Sequence, residues 1–367
     1  MRNAIIGLVL FLGLSCSSVD QGPPVVPAEP FEIRAGTAVP DIPGERFFRN
    51  VRQLTFGGEN AEAYWSNDGR SLIFQAKFGE YECDQIFTLD LETGEQKLVS
   101  TGLGRTTCAF FVQGDRRIIF SSTHLASPNC PPPVFSVDGK YVWAVYEGYD
   151  IFTANPDGTD LRRITEFAGY DAEATICPVT GRVLFTSVRD GDLELYSMEP
   201  DGSDVLRLTN RPGYDGGGFY SHDGTKIVQR SGFFENEAEE QEYFSLLSRG
   251  VVAPNEMEIT VLDRNGENFR QITDNGKANF APYWHLDNKR IIFASNMDAP
   301  QGRRFDLYLI NEDGTGLTKV TNNPSFDSFP MFSPNGRHIV FASNRFNPED
   351  SPNDTNLFVA EWVEQDG

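Results

Sequence analysis

The chain has 367 residues, with 53 Asp and Glu against 31 Lys and Arg, a formal net charge of −22 and an isoelectric point near 4.5. Such acidity argues against nucleic acid or an anionic membrane surface as a partner. A cation, a basic protein surface or a neutral polymer fits better.

Residues 1–16, MRNAIIGLVLFLGLSC, have an early Arg2, an apolar run from Ala4 to Leu14 and small residues around a cysteine. This is the pattern of a bacterial lipoprotein signal peptide with Cys16 as the lipidated residue. The apolar run is shorter than the roughly 20 residues a spanning helix needs. Lipid at the N-terminus is therefore the only membrane attachment expected, on an exported protein of the periplasm or outer membrane. Residues 17–46 are rich in Pro, Ser and Ala without periodicity and read as a flexible tether. Residues 47–367 remain for one domain.

That domain repeats one phrase. Its cleanest copy runs from Asp171 to Thr209, with apolar runs ATIC, VLFTS, LELYSM and VLRLT separated by Thr180-Gly181, Asp190-Gly191 and Asp201-Gly202. Asp-Gly between alternating runs signals a hairpin, and four strands recurring as a unit signal a propeller blade. Inner turns recur at Asp68-Gly69, Gly114-Asp115, Thr180-Gly181, Asp223-Gly224, Asp287-Asn288 and Asn335-Gly336. Only five closing strands follow an outer turn, so the last blade lacks one. The phrase NVRQLT, residues 50–55, has the closing pattern but precedes the first inner strand. It is expected to pair with NLFVAEWV, residues 356–363, leaving no open edge. The predicted architecture is all-β, a monomeric six-bladed β-propeller of four-stranded blades.

Extra length falls on one face, in the connections between second and third strands. The insertions cover residues 124–149 in blade two and 233–257 in blade four, with smaller ones at 297–304 and 346–355. Loops carry function on rigid scaffolds, so this face is the expected working surface. The blade-four insertion predicts a short helix, capped by Asn236 and stopped by Gly250. Its Tyr243 and Phe244 could lie across the central channel as a lid. Entering the inner strands, Glu62, Asp171, Glu173, Asp215, Asn279 and Asp327 are expected to ring the channel mouth. Of the cysteines after Cys16, one bridge is expected among Cys83, Cys108 and Cys130, with the pair left open, and Cys177 reads as a buried thiol. Hydrolase elbows, zinc motifs and phosphate loops are absent from the sequence.

The phrases FPMFSPNGRHIVFASNR, ANFAPYWHLDNKRIIFASN and DLYLINEDGTGLTKVT resemble the TolB-type propeller repeat, and the resemblance runs through all six blades. It implies a propeller of the bacterial envelope that works by binding other proteins. The α/β domain that precedes the TolB propeller has no counterpart in residues 17–46. The expected function is a non-catalytic cell-envelope propeller holding a protein or polysaccharide through its elaborated face, without a cofactor. Two alternatives are a carbohydrate-active enzyme, with Glu173 and Asp171 or Asp215 as its carboxylates, and a calcium or small-ligand binder using the acidic mouth.

Overall fold

The computed structural model describes residues 31–365 except 255, 300–303 and 325. It is a six-bladed β-propeller, each blade an antiparallel sheet. Blade one is Glu59–Trp65, Ser71–Lys77, Gln85–Asp90 and Gln96–Leu98. Blade two is Thr106–Val112, Arg117–Ser122, Asp150–Ala154 and Arg162–Arg163. Blade three is Asp171–Ile176, Val183–Ser187, Glu194–Met198 and Leu206–Arg207. Blade four is Asp215–Tyr220, Lys226–Gly232, Met257–Asp263 and Arg270–Gln271. Blade five is Asn279–Trp284, Arg290–Ser295, Asp306–Asn311 and Thr318–Lys319. Blade six is Asp327–Phe332, His338–Ser343 and Asn356–Trp362, on which Phe48–Gln53 and then Thr37–Ala38 are laid.

Two repeated positions explain why the phrase folds this way. The second strand carries a fully buried Phe in five blades, at Phe74, Phe120, Phe185, Phe293 and Phe341. These rings fill the space between neighbouring sheets, where one large aromatic side chain buries 150–250 Å² or so. Two residues past the end of each fourth strand stands a hydroxyl that accepts the N–H of a residue on the third strand. The pairs are Ser100 with Ile86, Thr165 with Ile151, Thr209 with Leu195, Thr273 with Ile259, Thr321 with Leu307 and Thr55 with Leu357, all at 2.8–3.0 Å. The hydroxyl satisfies a buried N–H that the short fourth strand does not reach.

Of the stretch read as tether, residues 31–46 lie against the propeller. Thr37–Ala38 pairs with the strand Phe48–Gln53, Ala35 is buried, and Glu45 enters a buried ion-pair triad with Arg345 and Asp327. Cys16, the proposed leader and residues 17–30 lie outside the described residues. Among the described residues no helix is long and apolar enough to cross a membrane.

The two long insertions meet. Ser136–Val137 and Lys140–Tyr141 form a hairpin, and Trp143–Ala144 pairs with Val251–Val252 of the blade-four insertion. Helix α1, Glu237–Leu247, is capped by Asn236, whose side chain accepts from the N–H groups of Ala238 and Glu239. Lys140 bonds Glu242, and Arg249 bonds Asp138 at 2.6 Å. Cys83 is bridged to Cys130, which ties the blade-two insertion back to blade one, while Cys108 and Cys177 are reduced and buried.

Candidate functional site

Every inner strand contains a β-bulge at the same place. The register breaks between Ala61 and Tyr64, Thr107 and Phe110, Ala172 and Thr175, Gly216 and Phe219, Phe280 and Tyr283, and Ser328 and Met331. The first bulged residue is left-handed in all six: Glu62, Cys108, Glu173, Gly217, Ala281 and Phe329 have φ between 45° and 59°. A bulge of this kind re-aims a side chain and recurs beside binding sites, and five non-glycine residues in this region cost backbone energy that packing must offset. Here the bulges turn Glu62, Glu173 and Phe329 into a cavity of about 1020 Å³ at the elaborated end of the channel.

Opposite each bulge entry, the second strand places Gln75, Ser121, Thr186, Arg230, Ala294 and Ala342, of which Gln75 and Arg230 line the cavity. The two sets of positions divide alike. Blades one to four supply Glu62 with Gln75, Cys108 with Ser121, Glu173 with Thr186, and Gly217 with Arg230. Blades five and six supply Ala281, Phe329, Ala294 and Ala342. On that side Phe280 meets Phe305, with ring centroids 4.7 Å apart, and Phe329 at 6.0 Å, and Phe305 meets Phe326 at 5.9 Å. The cavity thus has a polar sector and a continuous aromatic wall.

The polar sector centres on Glu173. Its carboxylate accepts from Thr186 Oγ1 at 2.7 Å, from Tyr214 Oη at 2.9 Å and from the Gly217 N–H at 3.0 Å, and it is paired with Arg230. Burial alone would lower the Arg230 pKa, but the adjacent Glu173 and Tyr214 raise it and hold the guanidinium charged. Arg230 lies 5.1 Å from the Trp143 ring and 5.0 Å from that of Tyr214. Glu62 is different. It accepts from the Cys108 thiol at 2.8 Å and from Tyr64 Oη at 3.2 Å, and no salt bridge reaches it among the described residues. Burial lifts its carboxyl above the usual range, and the charge of Glu173 adds to that.

Trp143 covers this arrangement. The insertion strands hold it at the mouth, where it spans from Arg230 to an edge contact with Phe280 at 6.0 Å. The lid expected from α1 is therefore a tryptophan. Tyr243 instead donates to buried Asp192 at 2.6 Å, and Phe244 packs at the edge of the same apolar cluster as Val145 and Val252. The helix turns its apolar side to blade three and to the strand Val251–Val252, so neither Tyr243 nor Phe244 lines the cavity.

Four of the expected mouth residues are also placed elsewhere. Asp171, Asp215, Asn279 and Asp327 precede the bulge, are fully buried and do not line the cavity. Asp171 takes a bidentate pair from Arg189, at 2.8 and 3.0 Å, and Asp327 takes Arg345 at 2.9 Å. Asp215 takes Arg211 at 3.2 Å, and Asn279 donates to Glu258 at 3.0 Å. A buried carboxylate needs such a partner, and with Asp171, Asp215 and Asp327 each facing an arginine these residues do not compose a cation ring. Among the described residues no group of three or more His, Cys, Asp or Glu is placed to hold a metal. Cys108, counted among the disulfide candidates, is a buried free thiol that donates to Glu62.

Arg230 escaped the sequence reading, although the repeat marks it. The phrases LIFQA, IIFSS, VLFTS, IIFAS and IVFAS become IVQRS in blade four. Gly216 and Gly217 make room for that change. A Cβ at Gly217 would stand 2.5 Å from Arg230 Nη1, and one at Gly216 would stand 2.8 Å from Tyr214 Oη.

No protein-family model matches the sequence, and no curated protein matches it. Solved structures match in fold. TolB from Acinetobacter baumannii superposes with TM-score 0.51 at 18% identity, over 71% of this chain and 54% of that one. A candidate TolB from Agrobacterium tumefaciens gives 0.52 at 17% identity, over 84% of this chain and 91% of that one. Hydrazine synthase of Kuenenia stuttgartiensis gives 0.52 at 15%, over 74% and 40%. This chain spans about half the length of the Acinetobacter protein. The fold is that of a TolB-like propeller, and at these identities the likeness is one of fold.

Proposed function

We propose that the protein is a non-catalytic, exported and lipid-anchored propeller that binds a protein or polysaccharide of the cell envelope through its elaborated face. The observation carrying this reading is the distribution of exposed aromatic rings. Phe56, Phe135, Tyr141 and Phe346 are 64, 71, 52 and 48% exposed, and all four lie in connections on that face, with Phe135 and Tyr141 on the cavity rim. Exposed aromatic residues around a concave site mark interaction surfaces. The Cys83–Cys130 bridge supports an oxidising compartment.

The carbohydrate-enzyme alternative needs two working carboxyls. Glu173 is saturated by hydrogen bonds and an ion pair, and Asp171 and Asp215 are locked to arginines outside the cavity. The geometry favours binding. The test is affinity capture from solubilised envelope with two baits, the mature protein and its Phe135→Ser/Tyr141→Ser variant. Both sites are exposed, so folding is retained. A partner kept by the first bait and lost by the second is expected. Polysaccharide cleavage that disappears in Glu62→Gln would overturn the non-catalytic reading.

A further inference from the structure

We infer that the channel mouth is a site for an organic cation, an ammonium group on an apolar stem, with Glu62 as its counter-charge and Phe280, Phe305, Phe326 and Phe329 around the stem. This inference rests on the reading of the elaborated face as a binding face and names the chemistry its cavity selects.

Three independent features lead there. The first is the division of the cavity lining, with Glu62, Gln75, Glu173 and Arg230 from blades one to four and Phe280, Phe305, Phe326 and Phe329 from blades five and six. A lining that only had to hold water would have no use for four phenyl rings on one side. An apolar stem buried there contributes roughly 0.8 kcal/mol per CH₂.

The second feature is the balance of charge within the polar sector. Glu173 is paired with Arg230, and Asp84 with Arg105 at 2.5 Å. Glu62 is left facing the cavity with only a thiol and a phenol as donors. Arg230 acts on Glu62 only through space, and a half-buried carboxylate without a contacting cation is an incomplete arrangement, which a ligand ammonium would complete with up to three N–H donors. Over the whole lining four acids, Glu62, Asp84, Glu173 and Glu256, stand against three bases, Arg105, Arg230 and Lys277, a formal excess of one acid in a molecule of net charge −22.

The third feature is the density of π-faces. Besides the phenyl wall, Trp143, Tyr146, Tyr149, Tyr170 and Tyr214 line the cavity. A cation beside aromatic faces gains about 0.5–2 kcal/mol depending on its desolvation. Trp143 already uses its face in this way toward Arg230. Together, a lone carboxylate, an aromatic enclosure and an apolar wall specify a cation with a greasy body, either a free amine or the lysine side chain of a partner.

Calorimetric titration of the mature protein with hexylammonium and with hexan-1-ol tests this, because the two probes share a stem and differ in the charged head. The ammonium is expected to bind roughly tenfold tighter than the alcohol. Glu62→Gln should erase that advantage and leave the alcohol unchanged. Phe329→Ala should weaken both. A tetrapeptide with a lysine between two phenylalanines, run against its norleucine isostere, distinguishes the sources. Preference for the lysine peptide over hexylammonium assigns the site to a protein partner, and the reverse assigns it to a small amine. Equal binding of amine and alcohol to the wild type, binding of neither, or an unchanged preference in a folded Glu62→Gln protein would overturn the inference. If capture through Phe135 and Tyr141 succeeds while the ammonium preference is missing, this inference fails and the envelope-binding reading stands. Ammonium selectivity without any captured partner does the opposite, keeping the cation site and removing the envelope partner.

Discussion

Arg230 is enclosed by Glu173, Tyr214 and Trp143, and its Nε has no partner among the described residues. Such a group is held by its ion pair, and removing one member strands the other. Arg230→Met should destabilise the fold by about 3–5 kcal/mol, because Glu173 is left buried and uncompensated. The double variant Arg230→Met/Glu173→Gln should recover most of that loss. A double-mutant cycle by urea denaturation checks both, and additive losses would sink the argument. At this scale the sequence is legible where the repeat is broken. The replacement of the repeated Phe by Gln229 and the Arg230 after it were visible, as was the glycine pair, Gly216 and Gly217, that leaves them room. What stayed hidden is direction. Asp171, Asp215, Asn279 and Asp327 are as polar as Glu62 and Glu173 and sit within two residues of the same bulges. A left-handed residue turns the chain so that its side chain faces the axis while its neighbour faces an arginine. No composition rule distinguishes the two, although Ser187-Val188-Arg189 and Ser343-Asn344-Arg345 share a spacing that offers the partner.

Helix α1 shows what an element adds. Its cap and stop were readable from Asn236 and Gly250, but its docking was not, since the anchor is a contact between Tyr243 and Asp192 across 51 residues. Burial pushes the Asp192 carboxyl up to about 6, above its unfolded value near 3.9. A carboxyl raised on folding contributes stability that is complete below about pH 4 and lost as pH rises through about 6. The stability difference between wild type and Asp192→Asn should therefore shrink by about 3 kcal/mol between pH 4 and pH 7, from two units at 1.36 kcal/mol each. A flat difference across that range would remove the assigned cause. The Cys83–Cys130 bridge closes a separation of 47 residues, which corresponds to about 4 kcal/mol of loop entropy. Cys83→Ser/Cys130→Ser should lose up to that amount in chemical denaturation.

For the whole molecule, the ring is held where its ends meet. Phe48–Gln53 lies on Asn356–Trp362, and the Glu45, Arg345 and Asp327 side chains join just inside that seam, at 1, 1 and 0% exposure. Deletion of residues 1–54 should therefore lower the melting temperature by about 10 °C or more. It should also make blade six the first site of proteolysis, as identified by mass spectrometry. Cleavage beginning elsewhere would relocate the weak point. Blade number and turn positions were legible because tight hairpins demand Gly, Asn or Asp at positive φ, and that demand repeats six times. Which insertions touch was not legible. Trp143 pairs its strand with Val252, which is 109 positions away in register, and only the closure of the ring brings those segments together.

The six bulges have a consequence for how such a molecule can change. Each sets its left-handed residue outside the regular ladder, so exchanging Glu62 or Phe329 alters the lining without moving a strand. The backbone penalty is already present, smallest for Asn and Asp and largest for β-branched side chains. The lining is thus written at positions that the scaffold does not read. A lineage with this propeller can revise its ligand one blade at a time, by single substitutions, while the barrel of phenylalanines and the six closing hydroxyls stay as they are.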